Sequence, residues 1–465
     1  MAIATIEPPL TRTGRYPRQA RADRARTGIV TGAGALVLAM SAVLFLAEDG
    51  LGRFSDLGAS LNALGMITGL VATSALLLML LLSARVPWVE RALGQPKAAA
   101  LHSKLGDFVV VGLGLHAVLV LVGYAAMDAF SVIEEFVYLW GQLDFILAVV
   151  GIVLLVVVVV SSIAAARKRL PYEAWHAIHL ASYAAVSVSI PHMFSMSGLL
   201  AQGAWQRTYW IALLVLTGAC LLVFRFLCPA WVSLRHQLRV TAVTPAGPDT
   251  FHIEFTGRDL YRLRIRAGQY LHWRFLAPGV WWHQHPLSLS AAPTGDRLRV
   301  TIRVLGAGTA ALRDVRIGTP VFLEGPYGIF TDLARTTDAV TLVGAGAGIA
   351  PLRALLEGTD FAPGAATVVL RGSRSDDLVL GEEIAELCER RGARLVELVG
   401  HRASGDRWVP ADRPSLTLAE VVPGVADTDL FVCGPDGFTR SVLDDATAAG
   451  VPTFRIHTEG FRFPA

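Results

Sequence analysis

Five histidines lie in or beside long apolar runs, His102 and His116 in one and His176, His179 and His192 in another. An imidazole placed in hydrocarbon is costly and calls for a chemical use. Its neutral ring nitrogen is an axial ligand for haem iron, and an apolar helix bundle supplies the dry pocket that haem needs. On an α-helix the fourteen residues from His102 to His116 give a rise of ~21 Å and only about 40° of rotation, so both rings can face one partner helix at two depths. The thirteen residues from His179 to His192 give ~19 Å with a poorer angular match, which a kink at Pro191 would correct. The spacing therefore predicts two stacked bis-histidine haem sites, His102 with His179 near the cytoplasmic face and His116 with His192 near the outer one. The competing reading has the same imidazoles bonding to Ser or Thr of neighbouring helices. His176, next to Trp175, reads as structural at the lipid interface. Lys104 either meets a haem propionate or snorkels. Cys220, Cys228, Cys388 and Cys433 form no C-x-x-C pair, so neither a zinc site nor covalent haem attachment is predicted and the haems are expected to be b-type.

The elements that must position these rings are membrane helices. With 465 residues, 53% hydrophobic and 17% charged, the chain is too apolar for an ordinary soluble enzyme and too long for one domain. Runs long enough to cross a ~30 Å hydrocarbon core occur six times, near residues 28–47, 63–84, 106–126, 142–165, 176–196 and 209–228. The charges between them alternate: Glu48, Asp49 and Asp56 against Arg53, then Arg85, Arg91, Lys97 and Lys104, then Asp128, Glu134 and Glu135, then Arg167, Lys168 and Arg169. The positive-inside rule then places the N-terminus and everything beyond residue 230 in the cytoplasm, with the spans in the plasma membrane. Residues 1–27 hold Arg12, Arg15, Arg18, Arg21, Arg24 and Arg26 against Glu7 and Asp23. They read as a disordered basic tail with a topogenic role rather than a nucleic-acid contact. No cleavable signal-peptide pattern precedes the first run.

Beyond Arg235 the pattern changes to short alternating strands, which predicts an antiparallel β-barrel over 235–332. Strand-like and helical runs then alternate, which predicts a parallel α/β domain over 335–465. In that domain LVGAGAGIAP ends a strand in Gly344, Gly346 and Gly348 and opens a helix near Ile349 and Pro351. Backbone amides and the helix dipole can meet a pyrophosphate there. After the next strand stand Arg371, Ser373 and Arg374, where recognition of a 2′-hydroxyl would need Asp or Glu. NADPH is therefore favoured over NADH.

The spans carrying LHSKLGDFVVVGLGLH and WHAIHLASYAAVSVSIPH, with LLSARVPWVERALG in the second, resemble the ferric reductase and NADPH oxidase family of transmembrane flavocytochromes. The resemblance implies haem ligands from the third and fifth spans, and it extends to the C-terminus. AGQY, Gly268, Gln269 and Tyr270, followed by HPLSLSAAP, is similar to the flavin motif of the ferredoxin reductase superfamily. It implies that His285 and Pro286 approach the flavin phosphates and that Ser288 bonds near flavin N5. Leu287 stands where most relatives have an aromatic residue. The next strand offers Arg303, Gly306, Gly308 and Thr309 for the FAD pyrophosphate. CGPDG, with Cys433, Gly434 and Pro435, resembles the family's second nicotinamide motif and implies that Cys433 lies near the nicotinamide; as a bare residue it reads equally as a buried strand-end cysteine. HTEGFRF resembles the terminal segment whose aromatic ring covers the flavin, which implies Phe461, then Phe463, with Glu459 as a polar neighbour.

Together these features predict a multi-domain chain: a six-span α-helical haem bundle, a β-barrel FAD domain and an α/β NAD(P) domain. The predicted activity is transfer of electrons from cytoplasmic NAD(P)H through FAD and two b-type haems to oxygen or ferric iron outside. No general base is needed. Two alternatives stay open: delivery to a quinone or periplasmic partner protein, and a haem-free membrane sensor or structural subunit. The loops 48–62, 127–141 and 197–208 show no metal-ligand cluster and no EF-hand pattern.

Overall fold

The computed structural model describes residues 16–47, 52–163, 169–170, 172–196, 198, 200, 202–403 and 407–460. They fall into two compact units, a helical one over Asp23–Phe226 and a second from Leu227 onward.

The helical unit contains α1 (Tyr16–Leu46), α2 (Leu57–Ser83), α3 (Pro87–Leu93), α4 (Gln95–Met127), α5 (Val132–Leu139), α6 (Leu143–Ser162), α7 (Tyr172–Ser195) and α8 (Trp205–Cys220). A π-helical stretch, Leu221–Leu227, continues α8 into α9 (Cys228–His236). Sequence signals set the boundaries. Asp56 caps α2 by accepting from the Ala59 amide at 2.9 Å. Pro87 opens α3, and Gly94, with φ of 71°, turns the chain from α3 into α4. Ser131 and Glu134 form a capping box on α5.

Two departures from the sequence reading stand out. Residues 16–27, assigned to a disordered tail, form the start of α1; residues 1–15 lie outside the described residues. Among the described residues five helices, not six, are long and apolar enough to cross a membrane: Ala25–Leu46, Leu57–Ser83, Lys97–Met127, Leu143–Ser162 and Trp205–His236. The sixth predicted span is α7, whose 24 residues include His176, His179, His192, Ser182, Ser187 and Ser189. Those polar side chains dilute its hydropathy.

Small residues let the helices approach. A Cβ at Gly65 of α2 would lie 2.6 Å from Val120 Cγ2 of α4, and one at Gly123 would lie 2.6 Å from the Asn62 nitrogen. Between α6 and α7 a Cβ at Gly151 would lie 2.0 Å from Ser189 Oγ. This is how membrane helices associate where burial of apolar surface gives no advantage over lipid. Val111 and Val118 of α4, Val153 and Val160 of α6, and Val215 of α8 are exposed, as a lipid-facing surface requires.

The second unit holds three sheets. Strands β1 (Arg239–Gly247), β2 (Thr250–Thr256), β3 (Tyr270–Phe275), β4 (His285–Ser288), β5 (Arg297–Arg303) and β6 (Val321–Tyr327) form two antiparallel sheets, β1-β2-β5 and β4-β3-β6. These two three-stranded sheets are linked at both edges by isolated bridges, Arg239–Pro320 beside β6 and Leu289–Val300 beside β4. One core fills the space between them. Phe251, Ile253 and Phe255 of β2 meet Leu271, Trp273 and Phe275 of β3, with Phe255 and Trp273 stacked at 4.4 Å. Side chains of that size pack two sheets face to face. Helix α9 joins them through Ser233, whose hydroxyl accepts from the Leu323 amide at 3.1 Å.

The third sheet is parallel, in the order β11-β10-β7-β8-β9. Its strands are β7 (Val340–Ala345), β8 (Ala366–Gly372), β9 (Arg394–Val399), β10 (Asp429–Cys433) and β11 (Ile456–Glu459). The connecting helices include α11 (Ile349–Gly358), α12 (Gly381–Arg391) and α14 (Asp436–Ala448), after the short α10 (Ala307–Ala311) and α13 (Leu418–Val421). β7 is buried along its whole length, as a central parallel strand covered on both faces must be. The chain order runs outward from β7 in both directions, so the carboxyl ends of β7 and β10 flank the topological switch point where such sheets bind ligands.

Candidate functional site

In the helical unit, α4 and α7 bring four histidines together in the two pairs that the spacing predicts. Ring centroids of His102 and His179 are 6.2 Å apart, and those of His116 and His192 are 6.3 Å apart. Two metal–imidazole bonds of ~2 Å each, added to two half-rings, fill about that length. Three of the four Nδ1 atoms are engaged elsewhere. Nδ1 of His102 lies 3.1 Å from the Met79 carbonyl, that of His116 2.8 Å from Gly65 and that of His192 2.5 Å from Ser189. A ring that donates Nδ1–H to a carbonyl keeps its lone pair on Nε2, the tautomer a metal takes.

His179 Nδ1 is buried without a hydrogen-bond partner, and the ring stacks on Trp175 at 5.0 Å. The His176 ring lies tilted to Trp175, 6.4 Å between centroids, and belongs to neither pair. Lys104 is exposed on α4. An apolar cavity lined by Leu113, Val120, Ile152 and Val186 adjoins His116 and His192. Sequence reasoning missed the part played by α2, which supplies the Gly65 and Met79 carbonyls and, at Gly69, the space for His116. A Cβ at Gly69 would lie 2.5 Å from His116 Nδ1. The readable signal was Gly58, Gly65 and Gly69 along one helix face.

In the second unit, the turn after β7 lies at the switch point. Gly346 has φ of 56°, and a Cβ at Gly348 would lie 2.2 Å from the Cys433 carbonyl. Backbone amides therefore crowd this point, with Pro351 buried in the first turn of α11. Gly434 and Pro435 lead from β10 into α14. The Cys433 thiol donates to the Glu459 carbonyl at 3.4 Å. Burial, then the Glu459 charge, pushes that thiol well up, so it stays protonated. Burial also pushes the Glu459 carboxyl up to about 7. A Cβ at Gly328 would lie 2.8 Å from Glu459 Oε2 and 3.3 Å from Tyr270 Cδ1, so the nicotinamide and flavin motifs meet around Gly328.

The flavin-motif residues divide into free and committed. His285 Nε2 and Ser288 Oγ are buried without a hydrogen-bond partner. Burial, then His283, pushes His285 down to about 4, so it is a neutral hydrogen-bonding group. Pro286 and Leu287 are half-buried on β4, and the Leu287 carbonyl accepts from Trp273 Nε1 at 3.1 Å. Gly268, with φ of 85°, passes so close to the Phe330 carbonyl that a Cβ would lie 2.0 Å from it. Gln269 closes its own loop, accepting from the Arg266 amide at 2.9 Å and donating to the Gly328 carbonyl at 3.2 Å.

Gly308 lies beside His285, since a Cβ there would be 3.9 Å from its Cε1. Thr309 Oγ1 accepts from the Leu305 and Gly306 amides at 2.9 and 3.2 Å, so the Gly306 amide, expected to face a pyrophosphate, faces this hydroxyl instead. Arg303 pairs with Asp377 at 3.7 Å. Arg299 of β5 and Arg353 of α11 both grip Glu383 of α12, at 2.7 and 2.9 Å. That clamp ties the antiparallel half to the parallel one.

Arg371 is not available to a 2′-phosphate. Its side chain is 4% exposed and donates to the carbonyls of Trp408 at 2.9 Å, Gly400 at 2.6 Å and Leu398 at 3.2 Å, and to that of Gly372. It knits the ends of β8 and β9 together. Ser373 and Arg374 are exposed. Arg402, missed by the motif search because it follows β9, is exposed and donates to the Arg407 carbonyl at 3.0 Å, with its other end 3.5 Å from Gly437 of the CGPDG turn. Phe461 and Phe463 lie outside the described residues.

Residues 68–190 match the family model of the ferric reductase-like transmembrane component. The chain is also similar to the ferredoxin reductase component of 3-ketosteroid-9-alpha-monooxygenase from Mycobacterium tuberculosis, 28% identical over 206 residues, covering 43% of this chain and 56% of that protein. One stretch of the chain thus matches a ferric reductase-like transmembrane component, and 206 aligned residues are similar to a ferredoxin reductase component. A flavohemoprotein of Xylella fastidiosa is 27% identical to it over 211 residues, covering 42% of this chain and 51% of the relative. The chain thus spans about half the length of the curated relatives it matches. Among solved structures, the flavohem-like FAD/NAD binding domain of a nitric oxide dioxygenase from Vibrio cholerae superposes with a TM-score of 0.40 at 23% identity, covering 49% of this chain and 99% of that one.

Proposed function

We propose that this protein is a transmembrane oxidoreductase that draws reducing equivalents from cytoplasmic NAD(P)H at its reductase-type module and delivers them to an acceptor beyond the outer end of its helical unit. The observation that carries this reading is the pair of histidine pairs, 6.2 and 6.3 Å between rings, on α4 and α7. Each pair offers two imidazoles, and among the described residues no three His, Cys, Asp or Glu side chains are grouped to hold a metal. That donor set suits iron whose other ligands come from a macrocycle, so two b-type haems fit. FAD and haem, when bound, would supply the conversion of a two-electron hydride donor into single electrons.

The residues do the holding. His285 Nε2 and Ser288 Oγ are buried hydrogen-bonding atoms without partners, each costing about 1–3 kcal/mol until a flavin atom meets it. Tyr270, opposite Ser288 in the sheet, and Gly308, beside His285, border the same place. The amides of Gly344–Gly348 and the start of α11 would cradle a nicotinamide dinucleotide pyrophosphate. Cys433, Gly434, Pro435 and Glu459 would border its reactive ring, and Ser373 and Arg374 its 2′-phosphate, which favours NADPH. Oxygen or a ferric species is the acceptor this reading assigns.

The test is a reduced-minus-oxidised spectrum of the purified chain. A b-type signal is expected, falling by about half when His116→Leu and His192→Leu together remove one of two sites. Full intensity in that double variant, or no b-type signal in the wild type, refutes the reading.

A further inference from the structure

One of the five apolar helices, Trp205–His236, is 32 residues long, which is ~48 Å of helix at ~1.5 Å per residue. A hydrocarbon core of ~30 Å takes up about 20 of them, so about a dozen, α9 included, are left for the headgroup zone. An element that met only water on its outer side would be polar there. α9 is not. Val232 packs on the core of the antiparallel half, the Ser233 hydroxyl accepts from Leu323, and His236 Nδ1 lies 2.7 Å from the Arg258 carbonyl. Those side chains turn inward. The outward stripe is Leu227, Trp231 and Leu234, spaced four and three residues apart and all exposed, Trp231 to 66%.

A second apolar group stands in the loop between β3 and β4. Trp281 and Trp282 are 56% and 49% exposed and meet edge to face, 5.6 Å between centroids. Val280, one residue before them, is buried in the same core that receives Val232. The loop thus commits its smaller apolar side chain to the core and leaves its two largest outside. Clustered exposed apolar groups mark a partner, where single ones need no explanation. Both elements are fastened to neighbouring residues of β6. Ser233 of α9 holds Leu323 at 3.1 Å, and Gln284, at the end of the loop, donates to the Glu324 carboxylate at 2.8 Å. The α9 stripe and the tryptophan pair are therefore held to one stretch of one strand.

We infer that the Trp281–Trp282 loop is a second membrane contact, which together with α9 seats the reductase-type module on the lipid headgroup layer. The occupant follows from continuity: α9 prolongs an apolar helix long enough to cross the bilayer, and a loop fastened one residue away on β6 is held within reach of the same surface. The chemistry agrees, because an indole has an apolar body and one N–H donor and settles at the boundary of headgroups and acyl chains. A module tethered by one helix alone can swivel. A second contact, made at the high effective concentration that the tether provides, fixes its orientation. The loop runs from the strand of Tyr270 to His285, so the strands it steadies are those of the flavin motif. This inference goes beyond the function proposed above and is independent of haem and of the acceptor.

The test uses the full chain in phosphatidylcholine nanodiscs, plain or brominated near the headgroup end of the acyl chains. The emission of a variant with Trp281→Phe and Trp282→Phe is subtracted from that of the wild type, so that the tryptophans common to both drop out. The difference emission should fall about twofold on bromination, as expected of indoles at the acyl boundary. No response to bromination overturns the inference, and quenching by aqueous iodide then shows whether water or protein, the helical unit or a second copy, covers the pair. Trp281→Phe and Trp282→Phe made singly give the same reading should the double variant not fold. Trp231→Phe, read in the same way, should also reveal a bromine-sensitive indole; a Trp231 that ignores bromination places α9 away from lipid and removes the continuity on which the inference stands.

Discussion

Glu459→Gln should remove a specific pH dependence from the reductase-type module. Burial raises the Glu459 carboxyl from an ordinary 4.5 to about 7. Between those values the folded chain binds the proton more tightly than the unfolded one, so stability is highest in acid and falls as pH rises through the window. A difference of roughly 2.5 pH units at ~1.4 kcal/mol each corresponds to ~3 kcal/mol in all, of which most falls between about pH 5 and about pH 8. The residue is 8% exposed, so solvent screening removes little of this. His252 and His285 act in the opposite sense. Both are pushed down to about 4, with burial as the leading cause. The unfolded chain therefore takes up their protons first, and their contribution to stability grows as pH rises from about 4 to about 6.5. Because both histidines are present in wild type and variant alike, the difference between the two isolates Glu459. Pulse proteolysis in urea, following the C-terminal half of the full chain, reads that difference. The variant should gain about 2–3 kcal/mol on the wild type between about pH 5 and about pH 8. Curves that stay parallel within about 0.5 kcal/mol would show that Glu459 is ionised in the folded chain throughout and that the burial argument is wrong.

Gly69→Ala would push a methyl against His116 Nδ1, 2.5 Å away; the b-type spectrum should lose intensity from the His116–His192 site while the His102–His179 component persists. Arg371→Ala should destabilise the module by about 2–4 kcal/mol, since several buried carbonyls lose a charged donor together. The NADPH-to-NADH preference of the surviving protein should not change. Arg374→Ala should do the reverse, raising KM for NADPH by about tenfold with KM for NADH unaffected; steady-state kinetics with both cofactors separates the two arginines. Ser288→Ala should leave the flavin-free chain as stable or slightly more so, because it deletes an unpartnered buried hydroxyl, yet reduce the stabilisation gained on adding FAD, as read by thermal shift.

What was legible in the sequence was whatever is periodic or contiguous. A fourteen-residue interval fixes depth and angle on one helix, so the histidine partners could be named before any packing was known. The parallel sheet was equally readable, because a strand running into a glycine turn and helix is a local event. What could not be read depends on packing. Arg371 looked like a phosphate ligand from its strand-end position, but its side chain turned into the gap beside β9, where carbonyls of Leu398, Gly400 and Trp408 needed a donor. Alternation in the antiparallel half announced strands without saying that Phe255 of β2 would stack on Trp273 of β3. The α7 helix was counted as an apolar span, although the polar residues that give it a chemical role lower its hydropathy.

The same limit separates two neighbouring glutamates that the sequence treated as one patch of loop charge. Glu134 stands three residues after Ser131, a readable capping-box spacing, and it accepts from the Ser131 amide at 2.8 Å, which holds its carboxyl below the usual range. Fixing that cap sets the rotation of α5. One residue further on, at ~100° around the helix, Glu135 is then carried inward, 1% exposed and without a partner for Oε2. The cap that is cheap to recognise thus determines the burial that is not, and it sets Glu135 beside Asp128, whose charge and hydrogen bond add to burial in pushing the Glu135 carboxyl up. Ser131→Ala should accordingly loosen α5 and speed amide hydrogen exchange across Val132–Leu139; unchanged exchange in that variant would remove this account of why Glu135 is buried.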